Sequence, residues 1–159
     1  MKQIITIFFL ISILFSCKNE HNIEKIEFST TMCFGTCPVF ELKIDSNKNA
    51  EFYAEMYNFS DTLSEFNVND NGEGKFKTFI KEKDYENLID AINNTNFTEL
   101  ENTYSQNITD LQTVVLKITY DGGKVKNIED YGANGTKRLT KVYDILFKLR
   151  VNQNWKKIE

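Results

Sequence analysis

The stretch 38–56, PVFELKIDSNKNAEFYAEM, decides how this chain folds. Apolar side chains alternate with polar ones on both sides of a Ser- and Asn-rich cluster at 46–49, which is typical of a turn. The alternating apolar residues are Phe40, Leu42, Ile44, Phe52, Ala54 and Met56. We therefore predict two half-buried strands that pair antiparallel through a tight connection.

The same alternation continues outward from this hairpin. Residues 26–32 predict a strand before it, and residues 75–80 predict a short strand after it. A helix then follows, because apolar residues recur at the spacing of one helix face. These residues are Tyr85, Leu88, Ile89 and Ile92.

The second half of the chain repeats this order. Strands are predicted at 115–120 and 125–131 around an Asp-Gly-Gly turn at 121–123, followed by a helix with Thr136 as its N-cap. The apolar face of this helix consists of Leu139, Val142, Tyr143, Leu146 and Leu149. Two hairpin-then-helix units predict an α+β fold, with an antiparallel sheet and helices packed on one face.

Two similar tetrapeptides mark the two units. Residues 42–45 read LKID, and residues 116–119 read LKIT. An internal repeat and convergent strand composition are both open explanations.

Cys17 follows a short apolar run that is typical of an export signal. Lys2 supplies the positive charge, residues 4–15 are almost entirely apolar, and small Ser16 precedes the cysteine. At about 1.5 Å per residue, the run reaches roughly 18 Å and is too short to span a bilayer core of about 30 Å. The pattern resembles a bacterial lipoprotein signal, although the bulky Phe15 keeps a plain secretory peptide as an alternative.

These segments predict a division of the chain into a signal peptide (1–16), a lipidated Cys with a flexible tether (17–25) and a single α+β domain (26–159). Two or three acyl chains hold a protein stably on a membrane. We expect a lipid anchor in the bacterial cell envelope, with the outer membrane favoured and the domain facing the periplasm or the cell surface.

The composition limits the class of partner. A formal net charge of −4 argues against nucleic acid. Aromatic residues make up 13% of the chain, which indicates a packed core rather than a disordered segment. The membrane, through the lipid, and an unidentified envelope protein or ligand remain as partners.

Cys33 and Cys37 are four residues apart. An even pair in an oxidising compartment predicts a disulfide that closes the turn between the first two strands. Gly35 permits the tight reversal, and Pro38 fixes φ where the next strand begins. Two further hypotheses stay open: a redox dithiol that attacks substrate disulfides, and a Cu(I) site made of two thiolates.

Residues 33–38 have the pattern Cys-x-Gly-x-Cys-Pro, and here the chain resembles the bacterial family of lipoproteins and secreted proteins called domain of unknown function 6438. The resemblance covers about residues 25 to 150. Other positions of the family pattern look like Tyr104, Thr109 and Asp110. The resemblance implies the fold and the exported location, but it implies no catalytic, cofactor-binding or metal-binding residue.

The acidic residues nearest to a general acid/base set are Asp110, Glu129 and Asp130. A side-chain cap of the loop before the next strand is the simpler role for Thr109 or Asp110. The sequence has no nucleophile elbow, His pair or phosphate loop, since Gly72-x-Gly74 lacks the required flanking elements. We therefore predict no enzyme activity and no cofactor or metal.

Two further features of the sequence predict sites at the protein surface. Asp61-Thr62-Leu63 resembles an O-glycosylation site of exported bacterial proteins, which makes Thr62 a candidate attachment point. Tyr53, Tyr57 and Phe59 could form an aromatic patch beside the first hairpin, although core packing is the commoner fate of such residues. We expect a non-catalytic binding or structural module, with thiol–disulfide or Cu(I) chemistry at Cys33 and Cys37 as the alternative.

Overall fold

The computed structural model describes residues 20–59 and 73–159, and shows one sheet with two α-helices. The strands are β1 (Ile23–Thr30), β2 (Val39–Asp45), β3 (Asn49–Met56), β4 (Gly74–Phe79), β5 (Thr103–Tyr104), β6 (Thr113–Tyr120), β7 (Lys124–Tyr131) and β8 (Lys156–Lys157). The helices are α1 (Glu82–Asn93) and α2 (Lys137–Asn152), with a 3-10 turn at Phe97–Glu99.

β1 lies inside the sheet, whose strand order is β5-β7-β6-β1-β2-β3-β4-β8. All neighbouring strands are antiparallel except β5 and β7. β2 and β6 both pair with β1, so the two halves of the chain meet on the first strand. This mixed α and β architecture agrees with the predicted α+β class, and the sheet is larger than two hairpins.

The two faces of the sheet have opposite character, because successive side chains of a strand point to opposite sides. One face packs against both helices and forms the core. Its aromatic side chains contact one another across the strands, with ring centroids 5.7 Å apart for Phe28 and Phe40 and 5.4 Å apart for Phe40 and Phe52. Two aromatic rings of α2 pack on Phe28: the ring centroids of Tyr143 and Phe147 lie 5.8 and 5.5 Å from its ring centroid.

The other face of the sheet is open and charged. Glu27 of β1 lies opposite both Lys43 of β2 and Lys117 of β6, and the row continues with Glu51 of β3 and Lys77 of β4. Two ion pairs close within it, Lys117 Nζ to Glu27 Oε2 at 3.1 Å and Lys77 Nζ to Glu51 Oε1 at 3.0 Å. We call this row of five residues the charge ladder.

Both predicted hairpins and both predicted helices are present, and Thr136 caps α2 by accepting a hydrogen bond from Leu139 N at 3.1 Å. The predicted turn at 121–123 connects β6 and β7. In the first hairpin, the carboxylate of Asp45 accepts hydrogen bonds from the backbone N–H groups of Asn47 and Asn49.

The first strand starts and ends earlier than predicted. It was expected at 26–32, but it runs from Ile23 to Thr30. Ile23 is buried in the core and pairs with Tyr120 of β6, so the tether expected through residue 25 ends before β1. Met32, expected on a half-buried strand, is 67% exposed because the chain leaves the sheet after Thr30.

The two similar tetrapeptides occupy matching positions beside β1. Leu42 and Leu116 both lie opposite Phe28. However, β3 lies on the far side of β2 and β7 on the far side of β6, so the two hairpins extend in opposite directions. No rotation superimposes such a mirror-like pair, which favours convergent strand composition over an internal repeat.

Candidate functional site

The disulfide loop between β1 and β2 projects from one end of the sheet. Cys33 and Cys37 are bonded, with Cα atoms 5.8 Å apart. Gly35 has φ = +137°, a backbone conformation that residues other than glycine rarely adopt. Pro38 is buried at the base, whereas Phe34 at the tip is 91% exposed. The bridge thus closes a small loop that holds an aromatic ring in solvent.

Two polar side chains fix the base of this loop through hydrogen bonds to its backbone. The Thr30 hydroxyl donates to the Pro38 carbonyl at 2.7 Å and accepts from Phe40 N at 3.1 Å. The Gln112 amide donates to the carbonyls of Thr31 and Pro38 at 2.8 and 2.7 Å. One glutamine therefore joins the two ends of the loop.

The connection that precedes β6 packs against the disulfide loop. Phe34 N donates to the Asp110 carbonyl at 3.0 Å, and Asp110 has φ = +65°. The contact uses the Asp110 backbone, while the side chains of Thr109 and Asp110 are both exposed. Ile108 on the same connection is 56% exposed.

Three connections meet at this end of the sheet. Besides the two already described, the loop after β7 joins them, because Gly132 N donates to the Gln112 carbonyl at 2.8 Å. We name residues 31–38, 105–112 and 132–136 the neutral tip, since nearly all of them are uncharged.

A buried carboxylate supports the loop after β7. Asp130 has no exposed surface and accepts hydrogen bonds from Gly135 N at 2.7 Å and from Asn134 N at 3.2 Å. A Cβ atom added to Gly135 would lie 2.5 Å from the Tyr104 ring, so only glycine fits beside this ring. Burial, together with the nearby Asp130, raises the pKa of Tyr143 beneath this loop. Tyr104 thus lies in the wall of a packed carboxylate site.

The three acidic residues do not form one set. Asp110 lies on an exposed loop, and Glu129 and Asp130 are neighbours on β7. Neighbours on a strand point to opposite faces, so Glu129 is exposed while Asp130 is buried. The arrangement gives no pair of carboxylates that could share a substrate.

Two negative findings apply to residues 20–59 and 73–159 alone. Among them, no three His, Cys, Asp or Glu side chains come together in a way that could hold a metal ion. None of the helices in this part of the chain combines the length and the apolar character that crossing a membrane requires.

The three aromatic residues beside the first hairpin do not share one patch. Tyr53 belongs to the open face and is 42% exposed. Phe59 packs on the core side, with its ring centroid 5.6 Å from Phe52 and 4.9 Å from Phe76. The neutral tip instead carries three large exposed apolar side chains, Met32, Phe34 and Ile108.

Two predicted modification sites, Cys17 and Thr62, lie outside the residues that the structure describes. Sequence reasoning missed the fastening role of Gln112 and the exposure of Phe34 and Ile108. A Gln beside a β-strand carries no pattern of its own. Phe34 carried a signal, since a disulfide ring of only five residues leaves no room to fold an aromatic side chain inward.

A protein-family model described as Domain of unknown function (DUF6438) matches residues 24–150. The match covers most of the chain, which therefore belongs to this family. The comparison with curated proteins gave no match.

Proposed function

We propose that this member of the DUF6438 family is a lipid-anchored protein of the bacterial cell envelope whose domain is a non-catalytic binding module. The neutral tip is its contact surface. The observation that carries this proposal is Phe34, 91% exposed on a loop that a disulfide and Gln112 hold in place.

An exposed phenylalanine on a rigid loop is suited to binding. Burying such a side chain contributes about 1.5–3 kcal/mol, and a solvent-facing ring leaves that contribution unused until a partner covers it. A preordered loop also loses little conformational freedom on association. The fastened disulfide loop therefore supplies an anchor residue in its binding conformation.

The sequence supports the membrane anchor. Cys17 ends an apolar run with a positive residue before it and small Ser16 beside it. We infer cleavage before Cys17, lipidation of its sulfur and retention at a membrane, with the outer membrane favoured. The domain then faces the periplasm or the cell surface.

The anchor is tested on the full-length protein purified in detergent from bacterial envelopes. Intact mass spectrometry should show a chain that begins at Cys17 and carries acyl chains. The variant Cys17→Ser should lack acyl mass. A native chain that begins elsewhere, or a Cys17 without lipid, overturns the anchor. The same spectrum tests Thr62, because a sugar increment lost in Thr62→Ala would establish glycosylation there.

Thiol–disulfide or Cu(I) chemistry is the second candidate, because Cys33 and Cys37 are only half-buried. Reactive cysteines are often found at helix N-termini, where the helix dipole lowers the thiol pKa, but this pair lies between two strands. We therefore expect a structural bridge, with a reduction potential below about −300 mV. A value between about −230 and −120 mV would favour a redox function instead.

A further inference from the structure

The neutral tip is depleted of charge in a chain that is otherwise rich in it. Charged residues make up 26% of the sequence, yet Asp110 is the only one within the three segments of the tip. Depletion of charge marks the buried centre of protein interfaces, where aromatic residues and Met are enriched. Met32, Phe34 and Ile108 supply such side chains, at 67%, 91% and 56% exposure.

Several backbone groups of the tip are hydrogen-bonded within the molecule. Phe34 N, Thr31 N and Gly132 N all donate to carbonyls of the neighbouring segments. The Gln112 amide covers two further carbonyls. A partner can therefore cover the three apolar side chains without leaving these groups unpaired.

The N-terminal segment binds to the end of the domain opposite the neutral tip. His21 Nδ1 lies 2.6 Å from Asp121 Oδ2, and Asn22 N donates to Asp121 Oδ1 at 2.9 Å. The His21 ring also lies 5.1 Å from the rings of both Phe97 and Tyr120. The chain is thus fixed to the β6–β7 turn before it enters β1.

β1 separates this attachment from the tip. Its eight residues, at about 3.3 Å each, span roughly 26 Å. The four residues from Cys17 to His21 can reach at most about 14 Å. A lipid on Cys17 therefore places the tip on the side of the domain away from the membrane.

Resting on the proposed lipid anchor, we infer that the neutral tip docks into an uncharged apolar pocket of another envelope protein that approaches from the side away from the anchoring membrane. The reach from Cys17 keeps the tip out of the anchoring bilayer. Two copies in one leaflet present their tips in the same direction, so they cannot meet tip to tip.

The full-length protein in native bacterial envelopes provides the test. A photoreactive benzoylphenylalanine replaces Phe34 in one variant and Phe79 in a matched control. Phe79 is also an exposed aromatic residue, at 59%, but it lies at the anchored end of the sheet. Irradiation is carried out at about 0.05 and 0.5 M salt, which changes the screening of charges severalfold.

We expect position 34 to form one protein adduct of defined mass that position 79 does not form. Its yield should be the same at both salt concentrations, because an uncharged contact is not screened. Met32→Ser and Ile108→Ser, introduced beside the probe, should each lower the yield about fivefold or more.

Four results overturn the inference: an adduct of twice the mass of the chain, an adduct with phospholipid, a yield that falls with salt, or no adduct beyond that of position 79. Failure of the anchor is read separately from the intact mass. A lipidated Cys17 without a protein adduct refutes only the docking inference, whereas an unlipidated chain refutes the proposed anchor.

Discussion

Asp130 is a carboxylate with no exposed surface, and it accepts hydrogen bonds from the backbone of Asn134 and Gly135. Removing the carboxylate leaves two backbone donors unpaired in a partly buried site. We expect Asp130→Ala to lower the free energy of unfolding by about 2–4 kcal/mol. Urea denaturation measures the loss.

The adjacent residue gives a matched control for Asp130. Glu129 is exposed on the opposite face of the same strand, so Glu129→Ala should change stability by no more than about 0.5 kcal/mol. Equal losses for the two variants would show that Asp130 does not support the loop.

His21 and Asp121 give the N-terminal attachment a pH dependence. The hydrogen bond from His21 holds the pKa of Asp121 below its usual range. A carboxyl group whose folded pKa is lowered stabilises the fold above its unfolded pKa of about 3.9. That contribution is lost as the pH falls through the lower folded value. Asp121→Asn should therefore lower Tm at about pH 6, and this deficit should shrink as the pH falls below the unfolded pKa of about 3.9.

Asn at position 121 keeps the left-handed backbone that Asp121 adopts, at φ = +45°, so the comparison isolates the charge. Asp144→Asn, on an exposed position of α2, serves as the control and should show little change at either pH. A Tm deficit for Asp121→Asn that persists unchanged at pH 2 contradicts the role of the His21 contact.

At the scale of elements, α2 depends on its first turn. The Thr136 side chain accepts a hydrogen bond from Leu139 N at 3.1 Å and caps the helix. Thr136→Ala should cost about 1 kcal/mol of stability. Thr140→Ala is the comparison, because the Thr140 hydroxyl donates to the backbone carbonyl of Thr136 at 3.0 Å and Ala is the better helix former. A larger loss for Thr140→Ala would argue against the cap.

Elements in which the hydrophobic pattern extends over many residues could be predicted from the sequence. The alternation through Leu42 and Ile44 and the helical spacing from Leu139 to Leu149 arise from burial of a single face, which the residue types record. β5 and β8 could not be predicted, because two residues are too few to show a period.

The candidate site was only partly predictable for a related reason. The Cys33–Cys37 bridge follows from spacing and residue type, and the turn follows from Gly35. Contacts between segments that are distant in sequence leave no local pattern. The hydrogen bonds between Phe34 and Asp110 and between Gln112 and Pro38 form only because β1 pairs with β6. The position of β1 between the two halves was itself not predicted, since antiparallel pairing of consecutive strands was the only pairing that the sequence indicated.

At the scale of the whole molecule, the open face is held by alternating charges that cross five strands. Glu27 stands at its centre with its side chain 22% exposed, and Lys25 Nζ and Lys117 Nζ lie 2.8 and 3.1 Å from its oxygens. Hydrogen bonds from Lys25 and then Lys117 keep the pKa of Glu27 below its usual range. Lys43 is also directly opposite Glu27. This one carboxylate therefore offsets part of the positive charge of the three lysines around it.

Glu27→Lys would place a fourth ammonium group among these three lysines. We expect a loss of about 1–2 kcal/mol in the free energy of unfolding at low salt, because like charges directly opposite each other destabilise a sheet. Near about 1 M salt the loss should fall to roughly half, since screening weakens the repulsion of partly exposed charges. Glu41→Lys is the matched control: Glu41 is 53% exposed and lies 3.7 Å from Lys43 alone. Its reversal should cost less than about 0.5 kcal/mol, because exposed single pairs contribute little. Equal, salt-independent losses for the two variants would mean that side-chain packing, rather than the alternation of charge, holds the open face.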